Sequence, residues 1–195
     1  MNAIDLLLTR QSTPVLCEPS PSASDLEKIL AAGMRVPDHG GIQPWHFHVI
    51  TGAGLGRLSD LYVEATKAIL ADPVNAQRKD AHGHDEKIAK VAKMPFRAPM
   101  IIVISTNYVV HNKVPKQEQL VAAGCAVQAM QMTCFTLGYG AMWRTGELAY
   151  NATVKQGLNI SPEDDIAGFL YVGSPKKEQH LKPAKSFKDK VTYWQ

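Results

Sequence analysis

Met100-Ile101-Ile102-Val103-Ile104-Ser105 is the stretch that decides the fold. Successive side chains of a strand point to opposite faces, so a strand with one wet face alternates apolar and polar residues. Here no polar residue interrupts either parity until Ser105, and the β-branched character predicts a strand covered on both faces, at the centre of a sheet. Toward the C-terminus, a long helix is predicted from about Lys116 to Leu137. Leu120, Gly124, Val127, Gln131 and Cys134 trace one stripe of it, and Ala123, Met130 and Leu137 widen that stripe. Ala122, Ala123, Gly124, Cys125, Ala126 and Ala129 are small enough for a second backbone to come close, which suits both a core position and a helix-on-helix subunit contact. Gly138 ends this helix, Gly140 to Arg144 reads as a short strand, Asn151 caps a helix reaching Leu158, and Ile166 to Gly173 is the last clear strand. The tail from Ser174 is polar and basic but finishes in Val191-Thr192-Tyr193-Trp194, a β-prone end expected to dock.

Toward the N-terminus, His46 to Thr51 reads as a strand, and Leu58, Leu61, Tyr62, Ala65 and Ile69 mark the helix after it. Gly52-Ala53-Gly54-Leu55-Gly56-Arg57 lies between them. Arg57 stands where a dinucleotide fingerprint wants its third glycine, so a glycine-rich turn into a helix is the better reading. Asn2 caps a first short helix with Ile4, Leu7 and Leu8 on one face. Prolines 14, 19 and 21 hold the next segment extended, and Ser24-Asp25-Leu26-Glu27 reads as a capping box for a helix carrying Leu26, Ile29, Leu30 and Gly33. Pro37 closes that helix, and Asp38-His39-Gly40-Gly41 forms a turn. Residues 72 to 94 are polar and poorly patterned. Within them His82-Gly83-His84-Asp85 has metal-ligand residue types but no distant partner, and reads as a solvated loop.

The 195 residues suit one domain, and 45% hydrophobic with 20% charged content excludes disorder. Lys and Arg number 21 against 18 Asp and Glu, and six of those lysines lie after Pro175, so no polyanionic partner such as nucleic acid is implied. Three cysteines without CxxC spacing exclude a disulfide framework or zinc knuckle and fit a reducing, cytoplasmic setting. No apolar run reaches the roughly 18 residues of a membrane span. No G-x-S-x-G elbow, H-E-x-x-H pair or P-loop occurs. The remaining chemistry lies in arginines at turns. Arg10-Gln11-Ser12 and Arg144-Thr145 each pair a guanidinium with a hydroxyl, types suited to holding phosphate oxygens, and the two pairs could close on one phosphate. Between them in sequence, residues 34–45 combine cation, imidazole, amide and aromatic groups.

Arg10-x-Ser12 after a first helix, Ala32-Gly33 to Pro37, Gln43-Pro44-Trp45 leading into a strand, and an alanine-rich helix before Gly138-x-Gly140 together resemble the nitroreductase family of flavoenzymes. Pro37-Asp38-His39 with Trp143-Arg144 is most similar to a short bacterial subfamily of NAD(P)H nitroreductases. The resemblance spans almost the whole chain. It implies a single α+β domain over residues 1–195, with a central antiparallel sheet flanked by helices. It also implies a homodimer with a C-terminal strand exchanged between subunits and FMN in two sites at the subunit interface. It assigns Arg10, Gln11 and Ser12 to the FMN phosphate, Arg35, His39 and Gln43 to the isoalloxazine ring, and Trp143, Arg144 and Thr145 to a late flavin-binding segment. The implied activity is hydride transfer from NADH or NADPH to flavin N5 and then to a nitro, quinone or related acceptor, with no protein nucleophile. Arg35 is the first candidate for the positive charge near flavin N1 and O2, with His39 as a neutral donor. Gly41 replaces the family's usual Asn, and the short chain leaves little room for helices over the flavin. Two rival readings stay open: a flavin-binding or flavin-buffering protein without efficient turnover, and a structural dimer without cofactor.

Overall fold

The computed structural model describes residues 2–72, 82–178 and 180–195. The Asn2 side chain accepts the Asp5 N–H at 2.9 Å and caps α1 (Ala3–Thr9), after which the chain runs extended through β1 (Leu16–Cys17). α2 (Ala23–Gly33) is capped by Ser22, whose Oγ accepts the Asp25 N–H at 3.2 Å. The capping box expected at Ser24 is therefore displaced by two residues, because the helix begins as soon as the prolines end and Ser22 is the first free hydroxyl. β2 (Trp45–Thr51) turns at Gly52, in the left-handed region at φ +51°, directly into α3 (Ala53–Ala71), as the glycine-rich turn predicts.

α4 (His82–Ala92) corrects the reading of residues 72 to 94 as patternless, and it removes His84 and Asp85 from a loop; residues 73–81 lie outside the described set. Tertiary contact overrides a weak local pattern here. Val91 enters the core beside α3, and Ser59 Oγ donates to the Ala92 carbonyl at 2.8 Å. β3 (Met100–Thr106), α5 (Lys116–Thr136), β4 (Gly140–Arg144), α6 (Ala152–Gly157) and β5 (Ile166–Pro175) complete the chain within a residue or two of expectation.

Every strand pairing is antiparallel, and the main sheet runs β2, β3, β5, β4, with β1 against the end of β5. All seven residues of β3 are buried, and their alternation divides the core in two. Ile101 and Val103 meet Leu58, Tyr62 and Ala65 of α3, Val154 of α6, and Phe169 and Tyr171 of β5. Met100, Ile102 and Ile104 meet Ile29 of α2, Ala123, Val127 and Met130 of α5, and Leu170 and Val172 of β5. On this second side α2 crosses α5 so closely that a Cβ at Gly33 would run into Met130 and Phe47. The α+β fold with a central antiparallel sheet between helices is as expected. The C-terminal tail forms no strand among the described residues: past β5 their regular structure is one short turn at Lys188–Lys190, and Tyr193 and Trp194 are 74% and 95% exposed. Among the described residues no helix is long and apolar enough to cross a membrane.

Candidate functional site

Arg10 ends α1 and Thr13 is stitched to β4, its N–H donating to the Ala141 carbonyl at 2.9 Å. That bond brings the Arg10 turn alongside the end of β4. There the Trp143 indole N–H donates to the Ala167 carbonyl at 3.1 Å, and the ring lies over Gly168, where a Cβ would collide with it. Arg10, Ser12, Gln128, Gln131, Trp143 and Thr145 line a cavity of about 430 Å³. Two segments more than 130 residues apart thus converge within one chain, and no carboxylate is among the described residues that line the space between them. Gln131, 3% exposed, sits behind it: its Oε1 accepts from Arg10 Nη1 at 3.0 Å, and its Nε2 donates to Ser12 Oγ at 3.4 Å and to the Ala141 carbonyl at 3.2 Å.

Two predicted residues turn elsewhere. Strand alternation sends Trp143 and Arg144 to opposite faces of the sheet, and the Arg144 guanidinium carbon lies 5.4 Å from the centre of the Tyr171 ring. Within one chain the Arg10 and Arg144 side chains therefore do not close on one phosphate: Arg144 stacks on the far side of the sheet. Burial, reinforced by the like charge of Arg97, holds its pKa below the usual guanidinium value. Gln11 is buried, and its side chain pins the tail, donating to the His180 carbonyl at 3.1 Å and accepting the Lys182 N–H at 3.3 Å.

Arg35, His39 and Gln43 do not line the Arg10 cavity; they stand exposed on the loop between α2 and β2. Three left-handed residues, Gly40, Gly41 and Gln43, shape that loop. Only Gln43 carries a side chain in that strained region, at φ +47°, and Asp38 Oδ2 holds it by accepting its N–H at 2.7 Å. His39 Nδ1 lies 2.7 Å from Oε2 of Glu118 in the first turn of α5. The carboxylate takes the Nδ1–H, so a neutral His39 ring offers Nε2 as an acceptor; donation outward requires the imidazolium. The neutral-donor role expected for His39 is accordingly replaced. Trp45, part of the same constellation in sequence, is instead a core residue at 7% exposure.

Gln131, Gln128, Asp38 and Glu118 were not legible as site residues. Gln131 carried one signal: an amide in the middle of a buried stripe of small residues needs partners. Among the described residues no cluster of three or more His, Cys, Asp or Glu could hold a metal, and the His84 segment supplies none.

The fold and the cavity define a class, and the comparisons give its family. The model described as Nitroreductase family matches residues 9–174, and the chain belongs to that family. It is 42% identical over 176 residues, 90% of each chain, to the Escherichia coli K12 protein described as "Putative NAD(P)H nitroreductase YdjA". The same fold is found in a nitroreductase-like family protein from Bacillus cereus, with a TM-score of 0.82 and 18% identity covering 100% of this chain and 96% of the other. A Bacteroides fragilis nitroreductase, described with bound FMN, superposes with a TM-score of 0.72 and 18% identity over 100% of both chains.

Proposed function

We propose that this chain is an FMN-dependent oxidoreductase that takes hydride from NADH or NADPH and delivers electrons to a nitro, quinone or related acceptor, working as a homodimer. One observation carries the reading. The cavity between the Arg10 turn and the end of β4 presents a guanidinium, hydroxyls and amides with no acid among the described residues that line it, a donor set suited to a dianionic phosphate. The residues present fit FMN: Arg10 and Ser12 would hold the phosphate, with Trp143 and Thr145 beside it. The Bacteroides fragilis relative with bound FMN and the naming of the Escherichia coli relative support this choice of cofactor and donor.

When bound, FMN supplies the hydride-accepting and electron-donating ring, and the protein needs no nucleophile of its own. Arg10 and Ser12 anchor one end of the cofactor. Arg35, exposed on its loop and without an ion pair among the described residues, would supply positive charge beside the bound ring. His39 is held at Nδ1 by Glu118, and the Asp38 bond fixes the backbone of Gln43 beside it. These three residues stand outside the Arg10 cavity of their own chain, and a second copy is what supplies them to it. Ile4, Leu7 and Leu8 on α1 and Phe187, Val191, Tyr193 and Trp194 on the tail are apolar and exposed, the kind of surface a partner protomer covers. Exchange of the tail between protomers belongs to the same proposal.

The two halves of the site separate in experiment. Arg10→Ala is expected to weaken FMN binding by roughly tenfold to a hundredfold, the range of a lost charge-assisted hydrogen bond. Arg35→Ala keeps FMN bound but slows its reduction by NAD(P)H. Fluorescence titration of FMN and stopped-flow absorbance of flavin reduction read the two effects, and equal FMN loss in both variants would refute the division. Slow NAD(P)H oxidation with every nitro and quinone acceptor, in a protein that binds FMN tightly, would favour the buffering alternative.

A further inference from the structure

Gln131 is a buried amide with three hydrogen bonds, and its partners fix which way it faces. The Ala141 carbonyl can only accept, so Nε2 points to it at 3.2 Å. The Arg10 guanidinium can only donate, so Oε1 takes its Nη1–H at 3.0 Å. A flipped amide would set two acceptors and two donors against each other. In this single orientation Nε2 also donates to Ser12 Oγ at 3.4 Å, which occupies a lone pair of that hydroxyl and leaves its proton to be given outward. Arg10 likewise commits one nitrogen to Gln131 and keeps the rest of its fork for the cavity. The amide therefore converts a hydroxyl of mixed character and a mobile cation into two fixed donors aimed at one space.

We propose that Gln131 is a positioning residue that sets the phosphate selectivity of this cavity: by locking Arg10 and Ser12 as donors, it makes the chain prefer FMN to riboflavin, which has the same ring and no phosphate. The proposal rests on reading the cavity as the FMN phosphate site. It does not depend on Gln131 holding the fold together, because the Ala141 carbonyl keeps its bond from the Thr13 N–H at 2.9 Å when the amide is removed. A glutamate at the same position would fail for a stated reason: its carboxylate would oppose the Ala141 carbonyl and neutralise Arg10.

The test is fluorescence titration of the flavin-free full-length protein with FMN and, separately, riboflavin, in wild type and in Gln131→Leu, Gln131→Glu and Arg10→Ala. Gln131→Leu is expected to weaken FMN by about tenfold or more while riboflavin stays within about twofold. Gln131→Glu weakens FMN further, and Gln131→Leu costs less when added to Arg10→Ala than it does in the wild type, because only its hold on Ser12 then remains. Parallel weakening of both flavins would mean a merely structural role and overturn the proposal, as would an unchanged FMN affinity. Should Gln131→Leu melt below the assay temperature, Gln131→Met keeps the unbranched length and is read by the same ratio. A wild-type protein that binds riboflavin as tightly as FMN would instead overturn the phosphate-site reading itself, before any substitution is made.

Discussion

The two faces of the central sheet are built from the same strands and part company at the end of β4. On the side of α3, α4 and α6 the core is closed around Tyr62, Phe169 and Tyr171, with Tyr62 and Phe169 edge to face at 5.8 Å, and burial pushes the Tyr62 hydroxyl pKa well up. On the side of α2 and α5 the packing is as tight around Ile102 and Met130, yet it gives way at the end of β4 to a cavity backed by a buried amide. β4 shows the difference within two residues. Trp143 faces the open side and walls the cavity, while Arg144 faces the closed side and stacks on Tyr171. A cation beside a tryptophan in sequence is thus no guide to a cation beside it in space; on a strand it is nearly a guarantee of the reverse.

The largest effect that sharpens this comparison is Phe169→Ala, which opens a cavity on the closed face. It should cost about 3–5 kcal/mol in denaturant unfolding, while the folded fraction keeps its FMN affinity. A matching loss of FMN affinity would show that the two faces are not independent. Next comes Arg144→Met, which exchanges a half-desolvated cation beside Arg97 for an apolar chain of similar reach. Stability should move by no more than about 1 kcal/mol, the scale of a cation–π contact, and FMN binding should hold where Arg10→Ala loses it. A loss comparable to that of Arg10→Ala would break the assignment of Arg144 to the closed face. The smallest effect is a pH dependence. Burial, helped by neighbouring His46, lowers the pKa of His48 from 6.5, so as pH falls below that value the unfolded chain takes up the proton first and the native state loses stability. His48→Gln should flatten this acid-side slope in melting temperatures followed from pH 7 to 5, leaving the Arg10 cavity on the other face untouched.

Some of this was written plainly in the chain. The unbroken run from Met100 to Ser105 could only be a strand buried on both sides, and Gly52 and Gly138 sit at φ +51° and +84° where the element ends were expected. The Arg10 and Trp143 segments stood out through the family resemblance, because a guanidinium next to a hydroxyl is by itself more often a solvated surface pair. α4 was not legible, since its apolar positions are sparse and only contact with α3 makes it a helix. Gln131 was not legible as a functional residue either, because its partners Arg10, Ser12 and Ala141 lie on two other segments of the chain.

Local order, the identity of the strands and helices other than α4, and the supply of anion-holding side chains follow from the sequence alone, because periodicity, caps and glycines act over a few residues. Which donors meet, which face Arg144 takes, and which amide aims Arg10 into the cavity were settled only when the sheet closed, because strand register and helix crossing bring together residues that no local rule relates.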